Sequence, residues 1–418
     1  MSYYKFNQDV YVVKGAVTHC IYDLFHGFLY SINQETYDLI YSLINEEDFY
    51  RSLDEERLAL VNYLTEMKIL VESVIKTEMV DILSLRQKPS LQFSWIEVTR
   101  KCNLACTFCY EESSPYCTER MSLNDFYSVC EQLKEVGIKR IQFIGGEPMV
   151  IKDDLKKMIL HCRDDFEFIE VYSNGILIND EWAKFFKTYN IAVALSIHSY
   201  IPEEHDCLTT VKGSHKRVLR GLNFLKKHQV QYRIGTVRNT ACNIGVKSKN
   251  DDYELHPVEP KVVGRADLSQ YNLEMFKRKA ITKQSKSYPI NKSRVITALS
   301  GHQCFIKDIY ISSNLEVFPC VMERRLSHGN IKKNRLKDIL NEKIRFLSKD
   351  HIEGCQNCEF RYGCFDCRPD SNGRGTYQKP WHCTYNPLEG KWYEVEEVFD
   401  RLKTESKSMI SSIPVVIE

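Results

Sequence analysis

Almost no net charge is left over when the 57 lysines and arginines of this 418-residue chain are set against its 56 aspartates and glutamates; the formal charge is +1. Nothing in that balance draws the molecule to nucleic acid or to an anionic membrane surface. No apolar run approaches the roughly 18–20 residues of a membrane helix. The opening MSYYKFNQDV lacks the charged-then-apolar layout of a secretory signal. There is no internal repeat and no low-complexity tract. The expectation from these absences is a cytoplasmic protein with no nucleic-acid or membrane partner. At 43% hydrophobic and 27% charged residues the composition is that of a globular protein, and the length implies two to three domains.

Cysteine, by contrast, is abundant, with sixteen residues. Structural disulfides are rare in a cytoplasmic chain, so clustered cysteines there read as metal ligands or redox groups. Cys20, Cys117, Cys130, Cys162, Cys207 and Cys242 are scattered and read as small apolar residues. The other ten fall into two spaced sets.

Residues 1–88 form a first unit. Val10–Lys14 and Cys20–Ile32 read as strands, and Gln34–Leu43 and Asp54–Leu70 as helices. Strands followed by helices suggest a small winged-helix-like module, closed by the polar linker Arg86-Gln87-Lys88-Pro89. From Leu91 the pattern alternates. Strands are predicted at Leu91–Val98, Arg140–Ile144, Phe168–Tyr172, Ile191–Ser196, Gln231–Val237 and Leu255–Val263, with helices such as Ser122–Val136, Asp154–Cys162 and Lys216–Lys227 between them. That alternation implies an α/β fold with a parallel sheet, open or curled into a partial (β/α)6 barrel over 89–265. Its chemistry belongs at the C-terminal strand ends. The polar stretch Asn239–Glu254 is too short for a full repeat. Residues 266–300 read as a helical bridge. The loop-rich segment 301–391 has little apolar core, so metal would have to organise it. Residues 392–418 form a helix and tail, the closing helix starting near Lys391.

The first cysteine set follows the first predicted barrel strand: Cys102-Asn103-Leu104-Ala105-Cys106-Thr107-Phe108-Cys109-Tyr110. Three thiolates in one tight loop suit an iron–sulfur cluster with one open iron; a zinc site completed by a distant fourth ligand is the alternative. The motif CNLACTFCY resembles the CxxxCxxC signature of radical S-adenosylmethionine (SAM) enzymes. Gly145-Gly146-Glu147-Pro148, 36 residues beyond Cys109 and after the second strand, resembles that family's GGEP motif. The resemblance implies a 4Fe–4S cluster on Cys102, Cys106 and Cys109, with SAM bound beside it. Tyr110 and the GGEP residues would contact SAM, whose amino group would meet backbone carbonyls and the Glu147 carboxylate. Ser173 and Asn174, after the third strand, would meet its ribose or carboxylate, although Asn174-Gly175 also reads as a plain turn. Ser196 would contact it from the fourth strand. Arg233, on the fifth, would fork onto its carboxylate or form a surface ion pair. His198 would face substrate or be a core histidine. By the same resemblance, reductive cleavage of SAM would start hydrogen-atom abstraction from a substrate.

The second set is Cys304, Cys320, Cys355, Cys358, Cys364, Cys367 and Cys383. The spacing resembles the SPASM domain of peptide-modifying radical enzymes, which carries auxiliary clusters. Carried over, Cys355, Cys358, Cys364 and Cys383 would hold an outer cluster, and Cys304, Cys320 and Cys367 an inner one, with His302 a candidate fourth ligand. Two zinc sites are the alternative. The family's glycine five residues before the second cysteine is Leu315 here, so Asn314 is expected to take the left-handed turn position. Sulfatase maturases carry an aspartate after that cysteine; Val321 stands there, which counts against formylglycine formation. Cys358–Pro369 with Cys383-x-Tyr385-Asn386-Pro387 resembles maturases of grasp-with-SPASM systems. That resemblance implies a precursor-peptide substrate, an external one-electron donor such as flavodoxin or ferredoxin, and an ATP-grasp ligase in the same pathway. A strand-and-helix module before the core would then bind a leader peptide as an added strand. The alternatives are a sulfatase or quinohemoprotein maturase and a non-catalytic zinc-bound peptide scaffold.

Overall fold

The computed structural model describes residues 2–238, 244–249, 251–286, 289–371 and 375–411. Cys242 and part of Asn239–Glu254 lie outside the described residues.

The first unit contains β1 (Tyr3–Phe6), β2 (Val10–Lys14), β3 (His19–Asp23), β4 (Phe28–Ile32), α1 (Gln34–Asn45), α2 (Glu55–Glu66) and β5 (Leu70–Ser73). β2, β3 and β4 form an antiparallel sheet, while β1 pairs with β5. The run expected as one strand over Cys20–Ile32 is split by a turn. The Asp23 carboxylate accepts N–H bonds from Phe25 and His26 at 3.2 and 2.9 Å, and Gly27 takes φ +82°. The helix expected through Leu70 stops short, because Lys68 turns left-handed and frees Leu70–Ser73 to pair with β1.

The core follows: β6 (Phe93–Thr99), α3 (Leu123–Glu135), β7 (Arg140–Gly145), α4 (Asp153–Cys162), β8 (Phe168–Ser173), α5 (Asp180–Thr188), β9 (Ala192–Ser196), α6 (Pro202–Thr209), α7 (Ser214–Lys227), β10 (Tyr232–Val237) and β11 (Pro257–Val258). β6 through β11 lie side by side in sequence order and all parallel. Each strand turns one apolar face to the covering helices, while the opposite face carries polar residues such as Gln142, Glu170 and Arg233. Ile96, Ile141, Phe143, Val171, Val193 and Leu195 are buried against Phe126, Leu133, Met158, Phe186 and Leu222 of the helices. Ser122 and Asn179 cap α3 and α5 through bonds from Asp125 N–H and Trp182 N–H. The expected sixth strand shrinks to two residues.

α8 (Leu273–Lys279) and α9 (Lys292–Ser300) bridge to β12 (Asp308–Ile311), β13 (Glu316–Phe318) and β14 (Gly329–Asn330). β12 adds to β6 in parallel and the next two strands continue antiparallel, so one nine-stranded sheet runs from the core into the cysteine-rich region. The left-handed residue before Cys320 is Leu315, φ +69°, not Asn314. That conformation costs about 1–2 kcal/mol for a residue with a Cβ. Burial of the Leu315 side chain in the main core offsets it. A helix over Val395–Ser411 closes the chain.

The antiparallel sheet of the first unit packs directly on the cysteine-rich region. The Tyr22 hydroxyl donates to Glu359 C=O at 2.9 Å and accepts from Gly363 N–H at 3.2 Å. Of the scattered cysteines, Cys20, Cys130 and Cys162 are buried as expected of small apolar residues, whereas Cys117 is half-buried and Cys207 exposed. No helix among the described residues is long and apolar enough to cross a membrane.

Phe143 on β7 is fully buried and stacks on Phe126 at 5.5 Å. Phe143→Ala is expected to lower stability by about 3–5 kcal/mol and Phe143→Leu by much less, read as a shift of the denaturation midpoint.

Candidate active site

The loop after β6 is seated from three sides. From β7, Gly146 N–H donates to Thr99 C=O at 2.8 Å and Glu147 N–H to Lys101 C=O at 2.9 Å. A Cβ on Gly145 would lie 2.1 Å from Thr99 O, and one on Gly146 2.3 Å from Lys101 O. The paired glycines are therefore a steric requirement of this approach. From α6, Leu208 C=O accepts Thr107 N–H. From the segment after β11, Arg265 donates to Cys106 C=O at 2.7 Å and Ser113 C=O at 2.9 Å. Gly264, at φ +62°, approaches Cys109 O so closely that a Cβ would sit 2.4 Å away.

Cys102, Cys106 and Cys109 line one cavity of about 710 Å³ at the C-terminal ends of the strands. Burial pushes the Cys106 thiol up to about 12 and raises Cys102 and Cys109 as well. Buried thiols become thiolates only beside a compensating cation, which is what iron supplies. Leu104 N–H points at the Cys102 sulfur at 3.4 Å, and Asn174 Nδ2 at 3.8 Å. The donor set thus fits a cluster on these three residues, with an asparagine holding one sulfur.

Tyr110, Gly145, Gly146, Ser173, Asn174 and Ser196 also line the cavity, as does His198. Three expected cofactor contacts do not. The Glu147 carboxylate is turned inward and fully buried. It accepts Met149 N–H at 3.1 Å, Ser173 O–H at 2.8 Å and Asn174 N–H at 2.7 Å. Burial raises it to about 7 against those donors. It ties the β7 turn to the β8 turn and leaves the cavity wall to the backbone of Gly145 and Gly146. Pro148 is buried at the start of a single 3-10 turn. Arg233 forks onto Glu170 at 2.9 and 2.8 Å and lies over Tyr172; it is the ion pair rather than a cofactor contact. His198 Nδ1 accepts Val237 N–H at 3.2 Å, and burial depresses its pKa to about 3. It stays neutral and carries its proton on Nε2.

The C-terminal cysteines separate into the two expected groups. Cys355, Cys358, Cys364 and Cys383 line one small cavity with Lys349. Cys304, Cys320 and Cys367 stand together, each raised to about 12 by burial. The neighbouring thiols add to that rise, and Lys261 opposes it at Cys367. His302 does not join the inner group. Its Nε2 donates to Asp366 C=O at 3.0 Å, and the ring packs on Phe305. Val321 and Met322, which follow Cys320, reach the main cavity. Among the described residues no three His, Cys, Asp or Glu side chains converge as the ligands of one bare ion do. Arg265, Arg238 and Lys261 carry no motif spacing of their own. Only the folding of 257–265 back over the loop brings two of them to the site.

The radical SAM superfamily model matches residues 96–252, and the iron–sulfur cluster-binding SPASM model matches 304–359. An S-adenosylmethionine-dependent nucleotide dehydratase of Oncorhynchus mykiss is 28% identical over 39% of this chain and 48% of its own. The subtilosin biosynthesis protein AlbA of Bacillus subtilis is 26% identical over 59% of each chain. The chain thus spans about half to three-fifths of these curated relatives. A cysteine-type anaerobic sulfatase-maturating enzyme of Clostridium novyi is 24% identical over 63% of this chain and 84% of its own. Among solved structures, Streptococcus suis SuiB bound to the precursor peptide SuiA shares the fold with a TM-score of 0.53 at 14% identity. That match covers 91% of this chain and 99% of SuiB.

Gly146→Ala should unseat the cysteine loop while leaving the other two groups intact. Iron after anaerobic reconstitution is expected to fall by about four per chain, the content of one cubane.

With both family models and the three cysteine groups in agreement, the chain carries a radical SAM domain, which implies a 4Fe–4S cluster and S-adenosylmethionine, followed by a SPASM domain, which implies auxiliary iron–sulfur clusters.

Proposed function

We propose that this enzyme modifies a ribosomally made precursor peptide, creating a crosslink, thioether or related bond. The observation that carries the reading is a shared cavity wall: Cys102, Cys106 and Cys109 line the same cavity as Val321 and Met322, which follow the inner auxiliary Cys320. A peptide side chain held there has access to both cluster sites. When bound, the cofactor supplies hydrogen-atom abstraction. The protein's own part is to seat the loop, exclude water and hold the peptide. Val321, Met322 and Phe108 give the cavity apolar walls. His198 offers a neutral Nε2–H donor that does not titrate near neutral pH.

The first unit supports the same reading. β4 is an edge strand with Phe28 and Ser31 exposed, a ladder to which a leader peptide can add. SuiB was solved with a precursor peptide bound, and AlbA serves in making the bacteriocin subtilosin. A one-electron donor such as flavodoxin or ferredoxin and an ATP-grasp ligase complete the proposed pathway. A sulfatase-maturase reading is favoured by the Clostridium novyi relative. It is opposed by Val321, which offers no base.

Reconstituted enzyme is expected to bind about twelve iron, four in each of three clusters, and to release 5′-deoxyadenosine and methionine with a reductant. Co-expression with a candidate precursor peptide should give a peptide lacking two hydrogens by mass spectrometry. Absence of SAM cleavage despite a complete cluster contradicts the proposal. An unmodified peptide beside a newly formed formylglycine on a sulfatase favours the alternative.

A further inference from the structure

Four cations line the cavity, Arg238, Lys261, Arg278 and Lys279, and they divide into two pairs. Lys261 and Lys279 close on Asp370 at 3.1 and 2.6 Å. Lys261 also stands beside Cys367, and Lys279 lies over the Trp381 ring at 4.6 Å. Asp370 takes one of these two charges, and Cys367 would take the other as a thiolate ligand of the inner cluster. Arg238 and Arg278 share a single carboxylate, Glu259. Arg278 Nε donates to its Oε1 at 2.6 Å, and Arg238 Nε stands 3.5 Å from the same oxygen. Two guanidinium groups on one carboxylate leave one positive charge uncompensated.

The hydrogen bonding is unfinished as well. Arg238 Nε and Glu259 Oε2 are buried and have no hydrogen-bond partner among the described residues. The contrast is Arg233, which spends a full fork on Glu170. A structural pair closes in that way; the Arg238–Glu259 pair does not. The scaffold around it is tied by hydrogen bonds and packing. Arg238 directly follows β10, and its N–H bonds Val258 C=O at 2.9 Å. The Tyr271 hydroxyl ties Pro260, and Met275 and Phe276 anchor α8 in a buried cluster. Unpaired groups on a fixed frame inside a reaction cavity are the mark of a ligand subsite.

We propose that Arg238 and Arg278, held by Glu259, form a carboxylate subsite that takes an acidic side chain of the peptide, whose neighbouring backbone N–H satisfies Glu259 Oε2. The subsite cancels the surplus charge and completes both orphaned groups at once. It makes an acidic residue near the reacting one a specificity requirement. This rests on the peptide-substrate reading, but its test needs no turnover.

The experiment is fragment binding to reconstituted, SAM-loaded enzyme, by calorimetry or saturation-transfer NMR. N-acetyl-glutamyl-methylamide and its aspartyl homologue are compared with N-acetyl-glutaminyl-methylamide and with N-acetylglycine, a mimic of a chain terminus. The acidic fragment is expected to bind roughly tenfold to a hundredfold better than the amide, the range for a charge-assisted hydrogen bond. Arg238→Gln should erase the difference and Arg238→Lys keep part of it, with iron content confirming the fold of both. Preference for N-acetylglycine keeps the subsite and assigns it to a peptide C-terminus. Equal binding of glutamyl and glutaminyl fragments overturns the proposal. So does an Arg238→Gln enzyme that loses SAM affinity while keeping the fragment preference, because the site then serves the cofactor. An unmodified precursor peptide with a clear acidic preference would instead fault the peptide-maturase reading and leave the subsite standing.

Discussion

The approach of two backbone segments without side chains between them sets the rest of the molecule. Gly145 and Gly146 lie against the carbonyls of Thr99 and Lys101 at distances no Cβ can share, and only there do the three thiols of the β6 loop meet one cavity. Glu147 makes the approach permanent from behind. A carboxylate with no exposure carries a desolvation cost of several kcal/mol. Three donors, two of them on the next strand's turn, offset it. The strands supply the frame, but this knot between the ends of β6, β7 and β8 brings the three thiols to one cavity.

The same physics is repeated at each cysteine group. Every group is buried, and burial favours the neutral thiol. Each also has a fixed cation nearby: Arg265 at the loop, Lys349 at the outer group and Lys261 at the inner one. Asp366 sits between Cys364 and Cys367, held by Lys349 at 2.5 Å and by Arg368. The short link between the two auxiliary sites is thus an internal ion network rather than a loose loop. The first unit is part of this housing, since Tyr22 and Thr18 bond Glu359, the residue after Cys358.

Much of this was legible in the sequence because it depends on local spacing. The alternation of strands and helices became the parallel sheet, and the seven C-terminal cysteines gather as four and three. What was not legible depends on direction or on distant contacts. Strand periodicity does not say which face Arg233 takes, and Glu170 on β8 claims it. A motif does not say whether Glu147 points to ligand or to frame. Leu315 is left-handed where asparagine was expected, because the core buries its side chain. β12 joins β6 across more than two hundred residues, and Arg265 reaches Cys106 from 159 residues away; neither pairing leaves a trace in local pattern.

We propose that Cys102, Cys106 and Cys109 hold the SAM-binding cluster and that the other seven cysteines hold separate ones. Electron paramagnetic resonance of the reduced, reconstituted enzyme tests it most directly. Overlapping cluster signals are expected, one of which shifts when SAM is added. In Cys102→Ala/Cys106→Ala/Cys109→Ala that responsive signal should vanish while the auxiliary signals persist. A SAM-dependent shift that survives in the triple variant would contradict it.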